Sequence, residues 1–202
     1  MEPLLEPVPD RLVTPRLIIR GVRADDSAQM LDAIAESIDA LRPYVPWAAN
    51  GVPSPTQCEA NCRRFQARFL LREDLTMAVF ERDANGAEGA YIGGTGLHRI
   101  DWAVRRFEIG YWCRSSRVGK GLIGEAVAAL TRCAFEQLKA LRVELRVDEV
   151  NARSWRVAER AGYVLEGVLR SESLASNGEP RDMRVYASTR SSYATRDSAR
   201  TA

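Results

Sequence analysis

The chain has 202 residues, 46% of them hydrophobic, with 29 basic and 27 acidic side chains and a formal net charge of +2. That length carries one substantial core and sits near the upper range of a single domain, while so small a net charge provides no global field for unspecific nucleic-acid binding. No stretch reaches the roughly eighteen apolar residues of a membrane span, and the N-terminal Met-Glu-Pro-Leu-Leu-Glu lacks the basic start of a signal peptide, so neither nucleic acid nor membrane is an expected partner and the expected compartment is the cytoplasm.

In chain order, residues 16–21 alternate as a strand, and Asp25 or Asp26 opens a helix with Met30, Leu31, Ile34 and Ile38 at helical spacing. Pro43, Pro46, Pro53 and Pro55 exclude a continuous helix through the next stretch, which reads as an ordered aromatic loop carrying Tyr44 and Trp47. Residues 57–71 are helical again, and 76–82 and 90–100 are strands joined by a hairpin turn at 83–89. A strand at 107–113 leads through a glycine loop into a helix with Leu122, Ile123, Ala126, Val127, Leu130, Ala134 and Leu138 on one face. A right-handed crossover makes the strand at 142–147 the parallel neighbour of the strand at 107–113. An Asn-led helix follows, and strands at 163–171 and 181–188 close the domain, so residues 1–188 read as one domain. The small, polar, aperiodic residues 189–202 read as a frayed tail. An exposed last strand is a candidate for pairing with a second copy, giving a homodimer.

The cysteines, Cys58, Cys62, Cys113 and Cys133, are scattered, and His98 is the sole histidine, so buried reduced thiols are expected and no metal site. The most informative segment runs from Arg114 to Ala126. Glycines on either side of Lys120 leave the backbone bare enough for several N–H groups to face one anion. The start of the following helix, with Lys120 and Arg117, adds positive charge. This is a phosphate cradle in outline, but not the nucleoside-triphosphate loop, because the upstream glycine and the hydroxyl after the lysine are missing. Thirty residues on, Asn151 caps a helix, Ser154 lies one turn in, and Gly162 supplies the left-handed residue that stops it.

The order Glu-Ile-Gly-Tyr-Trp (108–112), Gly-Lys-Gly-Leu-Ile-Gly-Glu-Ala (119–126), Asn-x-x-Ser (151–154) and Ala-Glu-Arg-Ala-Gly-Tyr (158–163) resembles the GCN5-related N-acetyltransferase superfamily, in its RimJ/RimL-type branch. Segments 11–20, 41–47 and 92–101 resemble the same branch, so the likeness spans about residues 10–188. It implies an α/β fold whose mixed, mostly antiparallel sheet contains a splayed parallel strand pair flanked by helices. It also implies acetyl transfer from acetyl-CoA, as co-substrate, to a primary amine by direct attack in a ternary complex. The acceptor is a protein N-terminus or a small-molecule amine. The alternative is an acyl-CoA-binding sensor that lacks turnover.

The resemblance also assigns residues. The pyrophosphate meets the backbone of Val118, Gly119, Lys120, Gly121, Leu122, Ile123 and Gly124, with Val118 and Ile123 standing where the superfamily usually has Gln or Arg and Gly or Ala. The pantetheine pairs with main chain near Trp112 and Cys113, and Asn151 holds its amide. Strand alternation puts Phe107, Ile109, Tyr111 and Cys113 on one face and Arg106, Glu108, Gly110 and Trp112 on the other. Glu108 is the lead general base, through water, with Glu144 and Glu172 in reserve; the bland alternative is a surface carboxylate paired with Arg99, Arg105 or Arg106. Ser154 is the proton donor to the thiolate or merely part of the helix cap, since Ala158 occupies the place of the tyrosine that many members use. His98 is either a base, as its side-chain type allows, or, as the resemblance implies, a wall of the acceptor pocket; Tyr44, Trp47, Trp102 and Trp155 either shape that pocket or are plain packing.

Overall fold

The computed structural model describes residues 2–201. One eight-stranded sheet organises them, with strands β1 (Arg11–Val13), β2 (Leu17–Gly21), β3 (Leu75–Arg82), β4 (Glu88–Asp101), β5 (Arg106–Cys113), β6 (Arg142–Asp148), β7 (Val164–Leu174) and β8 (Pro180–Thr189). The spatial order is β1-β2-β3-β4-β5-β6-β8-β7. Every neighbouring pair is antiparallel except β5 and β6, which run parallel, as the crossover through helix α3 (Leu122–Arg132) requires.

Alternation divides the sheet into two faces. Leu17 and Ile19, Met77 and Val79, Phe107 and Ile109, and Val143 and Leu145 point to one side, where they pack with α3 and with Ala158 of α4 (Ala152–Arg160). Ile18, Ala78, Phe80 and Tyr91 point to the other, beneath α1 (Ser27–Leu41) and α2 (Pro55–Leu70). The apolar cluster on that second face lies over β2 to β4, with Trp112 of β5 packed at its margin. On β5 and β6 its positions are Glu108, Glu144 and Arg146, so a charged surface continues where the apolar cluster stops.

Local chemistry sets the helix limits. Ser54 and Gln57 form a reciprocal capping box at the start of α2, with Pro55 in the first turn. Asn151 Oδ1 accepts the Ser154 N–H at 3.1 Å, and Gly162 at φ +80° ends α4. Helix α3 loosens into one π-helical stretch, Cys133–Gln137, before Leu138. The four cysteines are free thiols, three buried and Cys113 half-buried. Among the described residues there is no metal-binding cluster and no helix long and apolar enough to cross a membrane.

Three expectations are corrected. Residues after Thr189 form helix α5 (Arg190–Thr201) and not a frayed tail. Composition shows no apolar stripe there, but one aromatic anchor suffices. Tyr193 stacks on Phe135 with centroids 4.6 Å apart and donates to Glu136 at 2.7 Å, while Ser192 and Thr189 cap the start reciprocally. The last strand, β8, is interior; the sheet margin is β7, which carries exposed Val164, Leu165, Leu169 and Leu174. Trp102 lies on the α3 face, edge-on to Phe107 and bonded to the Arg72 carbonyl, away from Glu108.

One buried charge anchors the α1–α2 side. The Arg20 side chain, 5% exposed, makes two bonds to Asp26 at 2.7 and 2.8 Å and two to Glu88 at 2.8 and 2.9 Å. Removing a partner strands the guanidinium in the interior. Asp26→Ala is expected to cost about 3 kcal/mol, the low end for breaking a buried pair because Glu88 remains. The check is the shift of the chemical-denaturation midpoint.

Candidate active site

Strands β5 and β6 pair only at Arg106↔Arg142, Phe107↔Val143 and Glu108↔Glu144. Beyond Glu108, β5 stays bonded to β4 as far as Cys113↔Gly93 but no longer to β6, which pairs onward with β8 alone. The main chain of Ile109 to Cys113 is therefore open on its β6 side, a slot between two strands that leave each other.

The glycine loop stands at the far end of that slot. Gly119 and Gly121 have φ of +83° and +74°, which side chains rarely adopt, and a methyl group at Gly119 or Gly124 would touch nothing within 4 Å. The glycines are thus not demanded by packing inside the protein; they leave the concavity before α3 clear. Arg16 and Thr14 brace its floor through Glu125, with Thr14 Oγ1 and Arg16 Nε both 2.6 Å from that carboxylate, and Arg16 Nη1 also reaches the Lys120 carbonyl at 3.0 Å. Arg117 is bonded to Glu81 at 2.9 Å, so its charge is shared. On the outer side Arg114 and the Ser116 N–H hold Glu36, whose carboxyl is drawn down to about 2 chiefly by the Ser116 bonds. An open slot lined by unpaired main chain, ending in bare N–H groups at a helix start, fits an extended amide-bearing arm attached to a pyrophosphate. Val118, Lys120, Leu122 and Ile123 stand with the glycines in the loop and first turn of α3, Trp112 and Cys113 close the open stretch of β5, and Asn151 is the N-cap of α4. Burial pushes the Cys113 thiol up to about 11.

On the charged face, Glu108 lies where the strands part. Its Oε2 is 3.4 Å from Arg146 Nε and 3.5 Å from Arg99 Nε, yet both Oε2 and Arg146 Nε are buried without a hydrogen bond among the described residues. Arg105 and Arg106, the other suggested partners, pair instead with Glu6 and Asp101. Arg99, Arg106, Phe107, Glu108, Glu144 and Arg146 line a cavity of about 90 Å³, room for about three waters at their liquid volume. Burial pushes the Glu108 carboxyl above the usual range; Arg99, Arg146 and His98 oppose this and Glu144 adds to it. The reserve carboxylates are more committed: Glu144 is bonded to Arg142 at 2.6 Å, and Glu172 lies 3.6 Å from Arg146.

On the opposite face, Ser154 meets a residue that sequence reasoning left without a role. The Ser154 hydroxyl donates to Tyr111 Oη at 2.9 Å, and the Tyr111 hydroxyl donates back to the Ser154 carbonyl at 2.9 Å. The pair bridges from β5 to α4 across the slot. Burial pushes the Tyr111 hydroxyl up to about 12, and Ala158 is fully buried. The parity of Tyr111, two residues before Cys113 on the α3 face, was the available signal.

The aromatic assignments divide. Trp47 lies edge-on to Trp112 at 5.8 Å, and Trp112 reaches Tyr91 at 6.0 Å, so these form a wall next to the slot. Trp155 lies beneath the guanidinium groups of Arg156 and Arg184, apart from Glu108, and the Tyr44 carbonyl binds Arg181.

The fold and slot have counterparts. The family model described as an acetyltransferase (GNAT) domain matches residues 16–164. YdaF of Bacillus subtilis (strain 168), provisionally named a ribosomal N-acetyltransferase, is 28% identical over 86% of this chain and 91% of its own. Among solved structures, the ribosomal L7/L12 α-N-protein acetyltransferase RimL in complex with coenzyme A superposes with a TM-score of 0.80 at 18% identity, covering 88% of this chain and 96% of its own. The microcin C7 self-immunity acetyltransferase MccE in complex with acetyl-CoA and AMP gives 0.77 at 19%, covering 87% and 93%. The chain belongs to the GNAT acetyltransferase family and is an acetyl-CoA-dependent N-acetyltransferase of its RimJ/RimL-type branch.

Proposed function

We propose that this enzyme acetylates the N-terminal amine of a protein in the cytoplasm, with Glu108 as general base acting through water and Ser154 serving the departing sulfur. The observation that carries the reading is the buried Glu108 Oε2, which lies 3.4 and 3.5 Å from two arginines yet makes no hydrogen bond among the described residues, bordering a cavity of about 90 Å³ at the point where β5 leaves β6. A carboxylate in that position attracts an ammonium group, and a basicity above the usual carboxylate range suits it to accept the ammonium proton. A protein terminus as acceptor is supported by the ribosomal name of the Bacillus subtilis relative and by the charged side chains Glu108, Glu144, Arg146 and Arg99 that line the cavity on this face. The outer edge of β7 offers a second copy a strand to pair with.

The coenzyme contributes an activated acetyl thioester; the chain contributes orientation and proton handling. The loop from Val118 to Gly124 holds the pyrophosphate, and the open β5 edge near Trp112 and Cys113 pairs with the pantetheine. Asn151 faces the same arm, its side-chain oxygen already engaged by the Ser154 N–H. Ser154 turns its hydroxyl from Tyr111 toward the sulfur.

Incubation with isotope-labelled acetyl-CoA and a pool of N-terminal peptides, polyamines, amino acids and aminoglycosides, read by mass spectrometry, is expected to label peptide N-termini. Label only on other amines would overturn the acceptor assignment. Gly121→Glu puts an anion and a strained residue into the cradle, and calorimetry should find acetyl-CoA binding abolished. Ser154→Ala is expected to lower kcat by about 10²-fold with little change in acetyl-CoA affinity. Because Glu108 works only when ionised, kcat/KM should rise with pH through a midpoint above that of a free carboxylate. Glu108→Gln should remove that limb and lower the rate by about 10²-fold or more.

A further inference from the structure

Amide formation releases two protons from an acceptor ammonium group: one before attack and one from the nitrogen as the new bond forms. Glu108 accounts for the first, and the second needs an acceptor on the same face. His98 stands next to Glu108 as its directly opposed partner on β4. Its Nδ1 lies 3.0 Å from both oxygens of Asp74, which is nearly buried and also accepts the Thr76 hydroxyl at 2.5 Å. Burial opposes ionisation of Asp74, but the His98 and Thr76 bonds and the charge of Arg68 hold its carboxyl below the usual range. An ionised Asp74 accepts a hydrogen bond, which fixes the neutral ring as the Nδ1–H tautomer and leaves Nε2 a free base.

The place of Nε2 is set by two glycines. The ring lies flat across Gly96 and Gly110: a methyl group at Gly96 would come within 2.9 Å of His98 Cε1, and one at Gly110 within 2.9 Å of Cδ2 and 3.1 Å of Nε2. The Nε2 edge therefore overhangs β5 between Glu108 and Trp112, along the open stretch of main chain. No hydrogen bond to Nε2 occurs among the described residues, and the side chain is 28% exposed. An imidazole oriented by a buried carboxylate, with its other nitrogen free and its space kept by glycines, is the arrangement of a general base.

We infer that His98, oriented by Asp74, is a catalytic base that takes the proton released by the attacking nitrogen. The inference rests on the acetyl-transfer site proposed above and adds a second base to it. The amine nitrogen bonds to the acetyl carbon and passes one proton to Nε2. The carbon–sulfur bond breaks with its electron pair going to sulfur, whose charge the Ser154 and Tyr111 hydroxyls meet by hydrogen bonding, and the departing thiolate takes its proton from water. The imidazolium, balanced by Asp74, then returns its proton to water.

His98 is the only histidine of the chain, so its ring nitrogens give the only imidazole signals in a ¹⁵N spectrum. With the acceptor identified above, His98→Gln is expected to lower kcat by about 10² to 10⁴-fold while leaving the KM for acetyl-CoA and the melting temperature near wild type. The neutral ring of the wild type should show a protonated Nδ1. Asp74→Asn, which offers a donor to Nδ1, should move the proton to Nε2 and lower kcat with His98 still in place. The groups facing the ring are Asp74 and Glu108, with Arg68 and Arg99 beyond them. A pH–rate limb that follows the NMR titration and vanishes in His98→Gln supports the assignment. Unchanged kcat in His98→Gln, or a protonated Nε2 in the neutral wild-type ring, overturns it. Absence of transfer by the wild-type enzyme would count against the proposed function instead, while the tautomer measurement still judges the Asp74–His98 arrangement.

Discussion

The working part of this molecule depends on β5 ceasing to pair with β6 after Glu108 and Glu144. Gly110 to Cys113 are only partly buried, so the unpaired groups of this strand edge stay open to a partner outside the sheet. The extended, amide-bearing arm of the coenzyme is the natural substitute for the missing strand. In the proposed reading its hydrogen bonds replace a ladder, and the glycine loop at the end of β5 receives its phosphates. The protein holds the gap open from both sides: β6 turns to β8 as its full-length partner, and the Tyr111–Ser154 pair spans the slot between β5 and α4. On that reading, coenzyme binding completes the sheet.

Glycine does a second job in the same strands. At Gly93, φ is +151° and a methyl group would lie 2.2 Å from the Trp112 carbonyl; at Gly94 one would lie 2.5 Å from the Trp112 indole nitrogen. Gly93 thus admits the close approach of the β5 main chain, while Gly94 beneath Trp112 and Gly96 and Gly110 beneath His98 form a shelf on which two large rings lie against the sheet. Side chains in strands ordinarily stand perpendicular to the sheet, where Trp112 and His98 would block the slot or point away from it. The bare backbone sets the ring orientation, so that indole and imidazole border the open stretch of β5.

Much of this could be read from the chain. Period-2 alternation in residues 107–113 located β5 and sorted its two faces, because a strand buried on one side has to keep its apolar set in phase. The caps at Asn151 and Gly162 and the glycines around Lys120 are local signals that need no tertiary context, and the structure follows them. What escaped depends on distant contacts. Asp74 and His98 are 24 positions apart, and neither type in isolation distinguishes a dyad from two surface residues. Tyr111 and Ser154 meet over 43 positions. Helix α5 was missed because it is held by one stacked ring, Tyr193 on Phe135, and by polar bonds such as those of Arg196 to Ser188 and the Ala161 carbonyl, none of which periodicity registers. Residues 11–13 pair with β2 as an added edge strand too short to show a pattern.

The two faces of β5 also divide the labour of proton transfer. Glu108, with His98 opposite it on β4, stands on the face that continues from α1 and α2; Tyr111 and Ser154 stand on the face of α3 and α4. A base and an acid within hydrogen-bond reach would exchange their proton directly and hold each other in the wrong state. Alternation prevents this without any added element, since residues 108 and 111 are three apart and must point to opposite sides. The magnitudes fit the same division. Tyr111, near 12, is a weaker acid than a thiol near 8.5, so full transfer from it to sulfur would be uphill by about 5 kcal/mol. In the proposed mechanism the hydroxyl pair on its side of the strand acts by hydrogen bonding to the charge that builds on sulfur, and the net proton release falls to the bases on the other face.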